Sequence, residues 1–327
     1  MKYKPILVVA GEPNSIFLEI FFKSLKKKIK SPIILIASLN LLKLQMGKLK
    51  CKKKIIELNY NNLFKKKLSN NNINLVNVDY NPKYAFEKIT NKSNKYINNS
   101  FKIAFQIIKK YNLNKFINGP INKKTLLKKN YLGVTEFISK KFKIKKNAML
   151  IYNNKLSVCP VTTHLPIKNV TKKINKKIII EKIKLIDKFY RKKLNKRPAI
   201  AVLGLNPHCE SVDKYNEDEK IIKPTVSYLK KNNFKVTGPH SADTIFLKNN
   251  RKNYDVIIGM YHDQVLSPLK TLYEYDAINI TLGLPFIRIS PDHGPNEKML
   301  GKNQSNPLSL IKAISFLDKN WLKQKKV

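Results

Sequence analysis

Acidic residues are scarce in this chain: 21 Asp and Glu stand against 65 Lys and Arg in 327 residues, a formal net charge of +44. Arginine is scarcer still, present only as Arg191, Arg197, Arg251 and Arg288. The planar guanidinium is the group best suited to bidentate contact with phosphate and guanine. Lysines spread evenly among Asn and Ile therefore disfavour a dedicated nucleic-acid face, and runs such as Lys26-Lys27-Lys28 and Lys65-Lys66-Lys67 read as solvated surface. The charge still attracts anionic ligands in general. The three cysteines, Cys51, Cys159 and Cys209, are odd in number and widely spaced, which excludes a disulfide framework and leads us to expect a reducing, cytoplasmic setting. No apolar run reaches the ~18 residues that span a bilayer. Ile6–Ala10 is too short for a secretory core, so no membrane association is expected. A hydrophobic content of 43% excludes wholesale disorder.

Glycine is rare too, with 10 residues, under half the usual ~7%, so each one is informative. Gly11, Gly119, Gly204 and Gly259 close or follow the apolar runs Ile6–Ala10, Phe116–Ile117, Ala199–Leu203 and Val256–Ile258. Short, continuously apolar runs ending in Gly, with helical patterns between them, predict an α/β protein whose strands are buried on both faces. The length suggests about two domains. Ile179, Ile183, Ile186 and Tyr190 recur at helical spacing. A helix is expected from Asn14 as its N-cap through Ile16, Ile20 and Leu25, and another from Ser100 to Tyr111. The Asn- and Lys-rich stretches Ser69–Asn74 and Asn91–Ser100 read as loops.

Three of the five histidines follow strand-like runs: His164 after Leu156–Val161, His208 after Ala199–Leu205, and His262 after Val256–Met260. In open α/β sheets ligands bind at the carboxyl ends of strands. Three imidazoles there could converge on one divalent cation with a position left for substrate, or each could simply cap its loop. Their separations match no local metal motif, so spacing leaves both readings open. Arg288 has the most apolar surroundings of any Arg in the chain, Leu282 to Ile289. A guanidinium placed there needs a partner, either a structural carboxylate or a ligand anion.

Taken in order, the segments Gly11-Glu12-Pro13, Gly119-Pro120-Ile121-Asn122-Lys123, Thr163-His164-Leu165-Pro166, Gly204-Leu205-Asn206-Pro207-His208, Ala242-Asp243-Thr244, Tyr261-His262-Asp263-Gln264 and Asn279–Arg288, followed by Asp292-His293-Gly294, carry a resemblance. The chain resembles the 4-hydroxythreonine-4-phosphate dehydrogenase family of pyridoxal phosphate biosynthesis over nearly its whole length. The resemblance implies a two-domain α/β/α fold similar to isocitrate and isopropylmalate dehydrogenases. It implies a homodimer with a shared active site in the interdomain cleft. The domains would be residues 1–133 with about 290–327, and about 134–289.

By the same resemblance His164, His208 and His262 would be metal ligands, one of them supplied by the partner subunit. Thr135, Lys270, Asn279 and Arg288 would bind substrate, Asp243 and Asp263 would support catalysis, and Asp292, His293 and Gly294 would contact NAD. No Gly-x-Gly-x-x-Gly occurs, which fits a fold that holds NAD by other loops. The implied cofactors are NAD and one divalent cation, with Zn, Co and Mg all open. The implied reaction is oxidation of 4-phosphohydroxy-L-threonine to a β-keto acid that decarboxylates to 3-amino-2-oxopropyl phosphate. Val134 stands where the family pattern has a substrate-contacting His, and Lys123 is a candidate substitute for it. Two alternatives remain: a related metal- and NAD-dependent dehydrogenase of another hydroxy acid phosphate or cyclic diol, and an enzyme-derived anion- or nucleic-acid-binding protein.

Overall fold

A computed structural model of the chain describes residues 3–122, 133–212, 215–291 and 293–319. Lys123 and Asp292 lie outside the described residues. The chain divides into two compact units, Met1–Val134 with Pro285–Val327, and Thr135–Leu284.

The first unit is built on parallel strands. Strands β1 (Ile6–Val9), β2 (Ile33–Ala37), β3 (Ile55–Glu57), β4 (Ile73–Asn77), β5 (Lys115–Asn118) and β12 (Ile287–Pro291) lie in the order β3-β4-β2-β1-β5-β12. Every pairing along that order is parallel. All four residues of β1 are 0% exposed. Neighbouring side chains of a strand point to opposite faces, so both faces of this sheet are covered. Helix α3 (Asn94–Lys110) packs on β1 and β2, and α10 (Leu308–Asp318) packs on β12, β1 and α1 (Phe17–Ser24).

Helix α3 begins six residues before Ser100 and absorbs most of the stretch read as a loop, because Tyr96, Ile97, Phe101, Ala104, Phe105 and Ile108 form one buried apolar stripe. Likewise Ile73 and Asn74 belong to β4, not to a loop; the Asn74 amide is buried and donates to Ile33 O at 2.8 Å. Asn14 does not cap α1, whose N-cap is Ile16. Its side chain instead accepts from the Glu87 amide at 3.1 Å, a tertiary bond that wins over local capping. Gly11 has φ +78° and lies so close to Pro120 O that a Cβ would stand 2.3 Å from it, so the turn after β1 admits no side chain.

The second unit contains β6 (Ala148–Tyr152), β7 (Ser157–Pro160), β8 (Ile200–Leu203), β9 (Val236–His240), β10 (Val256–Gly259) and β11 (Ile278–Leu282), in the order β11-β6-β7-β10-β8-β9. The β11–β6 and β6–β7 pairs are antiparallel, while β7, β10, β8 and β9 run parallel. Helix α5 (Lys176–Phe189) buries Ile179, Ile183 and Ile186, and Asn175 caps it by accepting from Ile178 N at 3.0 Å. Met149, Val158, Leu203, Ile257 and Val265 lie in one core cluster with Leu269 of α9 (His262–Tyr273).

The unit boundary at 284/285 assigns Phe286–Arg288 to the first unit, whereas the sequence expectation carried the second domain to about 289. Strand β12 pairs with β5, Arg288 opposite Phe116, and that ladder decides the assignment. All three cysteines are free. No helix among the described residues is long and apolar enough to cross a membrane.

Candidate active site

Strand order brings the histidine-bearing segments side by side. Strand β10 lies between β7 and β8, all three parallel, and His164, His262 and His208 follow the carboxyl ends of β7, β10 and β8 respectively. The His164 and His262 rings lie 5.8 Å apart, centroid to centroid, tilted by 36°. His208 sits apart in the loop after β8, its side chain 74% exposed. Among the described residues of one chain, no three His, Cys, Asp or Glu side chains are grouped to hold a metal ion.

Each imidazole has a carboxylate nearby. His262 Nδ1 is 2.6 Å from Asp263 Oδ1, His208 Nδ1 is 3.9 Å from Asp243 Oδ2, and His164 Nδ1 is 4.0 Å from Glu136 Oε1. The Asp243 carboxyl is held below the usual carboxylate range, first by the Ser241 hydroxyl donating at 2.7 Å and then by the His208 imidazole. Glu136 lies on α4 (Val134–Lys141) and accepts from Thr163 Oγ1 at 3.3 Å, which ties the start of α4 to the loop that carries His164.

The loop carrying His208 is set by a buried acid. Asp218, 0% exposed, accepts from the Leu205 amide at 2.7 Å, the Asn206 amide at 3.1 Å and Asn206 Nδ2 at 2.9 Å. Gln264, on the first turn of α9, donates to Gly204 O at 2.8 Å and accepts from Met260 N at 2.7 Å, joining the ends of β8 and β10. His208 and Cys209 both adopt left-handed backbone, at φ +54° and +64°. Burial pushes the Cys209 thiol up, with the Asp218 carboxylate adding to the shift.

Two of the substrate candidates of the second unit, Thr135 and Asn279, lie on elements that face each other. Thr135 Oγ1 meets Thr281 Oγ1 at 3.5 Å, so the first turn of α4 faces β11. Asn279, two residues earlier on β11, presents to the same face; its Oδ1 is buried and has no hydrogen-bond partner among the described residues. A buried acceptor left without a donor costs about 1–3 kcal/mol unless a ligand satisfies it. Lys270 stands two helical turns after His262 on α9. In the first unit Arg288 is 2% exposed and donates through Nε to Asn118 Oδ1 at 2.7 Å, while the Asn118 amide is held by Gly119 O at 2.8 Å. His293 Nδ1 donates to Gly294 O at 3.0 Å, and among the described residues nothing stands within 4 Å of where a Gly294 Cβ would be.

Glu136, Asp218, Gln264 and Asn118 were not singled out from the sequence. Glu136 carried a signal, as the residue after Thr135 in a matching segment; Asp218 sits in the acidic run Glu217-Asp218-Glu219, which looks like solvated surface.

A two-unit α/β protein with imidazoles lined up at adjacent strand ends is the class that fold and site define. The chain belongs to the family described as pyridoxal phosphate biosynthetic protein PdxA, whose profile matches residues 28–317. It is 42% identical over 201 residues to a 4-hydroxythreonine-4-phosphate dehydrogenase of Sulfurihydrogenibium sp. (strain YO3AOP1), a match covering 60% of this chain and 62% of that relative. It is 36% identical over 200 residues to a D-threonate 4-phosphate dehydrogenase of Pectobacterium atrosepticum, covering 60% of this chain and 61% of that one. The chain thus aligns with about three-fifths of the length of these curated relatives. Its fold is similar to the crystal structure of 4-hydroxythreonine-4-phosphate dehydrogenase from Klebsiella pneumoniae, with a TM-score of 0.81 at 27% identity, covering 96% of this chain and 98% of that one.

Proposed function

We propose that this protein is an NAD- and divalent-metal-dependent dehydrogenase that oxidises 4-phosphohydroxy-L-threonine to a β-keto acid. That acid loses carbon dioxide to give 3-amino-2-oxopropyl phosphate. The observation that carries the reading is the alignment of His164, His262 and His208 at the ends of three adjacent parallel strands.

The donor set fits a cation. Three imidazoles with room for a substrate oxygen suit Zn²⁺ or Co²⁺ better than Mg²⁺, and two of the rings already lie 5.8 Å apart. His164, His208 and His262 would hold the ion, and the reading makes the enzyme a homodimer in which one copy completes the other's ligand set. The open backbone at Gly294 fits close approach of NAD, which His293, Gly294 and Asp292 would contact. A cation held there would supply Lewis acidity toward the substrate hydroxyl, and NAD held by the first unit's residues would supply the hydride acceptor.

The remaining work falls to this chain's own side chains. Arg288 offers aligned donors, and Lys270 a point charge, to a phosphate. Asn279 Oδ1, which has no hydrogen-bond partner among the described residues, accepts from a substrate donor, and Thr135 supplies a hydroxyl that can donate or accept. Asp243 and Asp263 stand against two of the imidazoles, where they assist by orienting or by moving protons.

A turnover assay tests the reading. Incubation with 4-phosphohydroxy-L-threonine, NAD and Zn²⁺, Co²⁺ or Mg²⁺ should produce NADH, and a chelator should abolish it. No oxidation with any of the three metals would defeat it. Val134 favours a second reading, oxidation of a hydroxy acid phosphate such as D-threonate 4-phosphate, because valine offers no hydrogen bond to a substrate polar group. Turnover of that compound alone would select it.

A further inference from the structure

The three histidines share more than their positions at strand ends. The imidazole nitrogen facing a carboxylate is Nδ1 in each of them: 2.6 Å from Asp263 for His262, 3.9 Å from Asp243 for His208, and 4.0 Å from Glu136 for His164. These acids reach the rings from three different elements, the starts of α9, of α7 (Ala242–Ile245) and of α4. An ionised carboxylate can only accept, so the nitrogen it faces carries the proton and the lone pair is left on Nε2. At His262 this bond is formed; at His208 and His164 a side-chain shift of about 1 Å brings the atoms to hydrogen-bond distance.

Glu136 adds an independent sign of unfinished bonding. Its Oε1 accepts from Thr163 Oγ1 at 3.3 Å, while its Oε2 is buried without a hydrogen-bond partner among the described residues. A carboxylate oxygen withdrawn from water carries a desolvation cost unless a donor reaches it, and the His164 imidazole faces the other oxygen of the same carboxylate, Oε1, at 4.0 Å.

We infer that Glu136, Asp243 and Asp263 are positioning residues that bind Nδ1–H of His164, His208 and His262, and so direct all three Nε2 atoms to one divalent cation. Asp243 and Asp263 then orient imidazoles rather than take the substrate's proton. Glu136 completes the set as the positioning acid of His164. Outer carboxylates of this kind fix the tautomer and raise the basicity of a ligating imidazole. The inference rests on the proposed role of the three histidines as metal ligands, but it does not depend on the identity of the substrate.

The test is metal binding by the full-length protein, measured by Co²⁺ titration against a competing chelator and followed in the visible spectrum of the ion. Glu136→Gln should weaken Co²⁺ binding about 10–100-fold, and Glu136→Asp should recover part of the loss. The thermal midpoint of the metal-free variant should stay at the wild-type value, which separates positioning from a structural role. Unchanged Co²⁺ affinity in Glu136→Gln would overturn the inference. A wild-type structure with zinc bound decides the matter even where the variant fails to fold: Nε2 ligation by all three histidines supports it, and Nδ1 ligation by any of them, or a carboxylate directly on the ion, defeats it. A wild type that binds neither Co²⁺ nor Zn²⁺ would remove the metal reading and this inference together. Co²⁺ binding with the expected loss in Glu136→Gln, but no oxidation of 4-phosphohydroxy-L-threonine, would leave the inference standing and defeat the substrate assignment alone.

Discussion

Glu12, in the turn after β1, is a buried carboxyl whose charge should register directly in the pH dependence of stability. It is 1% exposed. Its Oε1 accepts from the Asn14 amide at 3.3 Å and its Oε2 from the Ser93 hydroxyl at 3.2 Å. Burial outweighs these two donors and, with a smaller push from Glu297, raises the carboxyl from 4.5 to about 7. Because the folded value lies above the unfolded one, the native state keeps a proton that the unfolded chain releases between those two values. The stability this group contributes is therefore fully present below about pH 4.5 and lost as pH rises through about 7. At about 1.4 kcal/mol per pH unit, the loss amounts to roughly 3 kcal/mol. Glu12→Gln cannot ionise, and its amide can still accept from Asn14 and donate to the Ser93 hydroxyl. The variant should thus match wild type near pH 4 and exceed it at pH 8 by up to about 3 kcal/mol. Urea unfolding curves of both proteins across this range measure the difference. A gap of the same size at both ends of the range would refute the reasoning, since it would show that the carboxylate is stabilised as well as the acid.

Arg288→Lys removes the Nε donor that Asn118 accepts at 2.7 Å and replaces a fork with a point charge. It should raise KM for the phosphorylated substrate by on the order of 10- to 100-fold, the scale of one charge-assisted bond; an unchanged KM with lowered stability would make Arg288 a packing residue. Val134→His should raise kcat/KM for 4-phosphohydroxy-L-threonine by up to about five-fold, the worth of one hydrogen bond of ~1 kcal/mol, and a fall in initial rates would speak for a substrate without the matching group. Cys209→Gly should relieve the left-handed backbone at φ +64° and stabilise the chain by about 1 kcal/mol in thermal or urea unfolding. A loss of stability there would show that the thiol's packing beside Gly204 outweighs the backbone term.

The buried strands were legible because a strand covered on both faces must be apolar at every position, and Ile6–Val9, Ile200–Leu203 and Val256–Gly259 satisfy that condition. Helix α5 was legible from its spacing, since a helix with one buried side repeats at 3.6 residues. The ends of elements were less so. Asn14 has the side chain of a good N-cap, but it bonds Glu87, 73 residues away, and α3 starts inside a polar stretch because Tyr96 and Ile97 find an apolar surface there. Such bonds depend on partners that local sequence does not contain.

Arg288 was conspicuous from composition alone, as the one guanidinium in an apolar run, and it is indeed buried. Its partner Asn118 was not, because β5 and β12 become neighbours only through a parallel pairing across 170 residues. The histidines show the same division. Their places after strand-like runs follow from the chain, each run closing on a polar turn. That β10, the latest of the three in sequence, lies between β7 and β8 follows only from strand pairing, and this order is what sets His262 beside His164. Glu136 is the sharpest instance: its place after Thr135 draws attention to it, but nothing local says which side chain it faces. The packing of α4 against the loop after β7 alone gives it a histidine to face. Side-chain chemistry and periodicity are properties of neighbours along the chain, whereas a site is a property of neighbours in space, and hydrogen-bonded sheet order converts the one into the other.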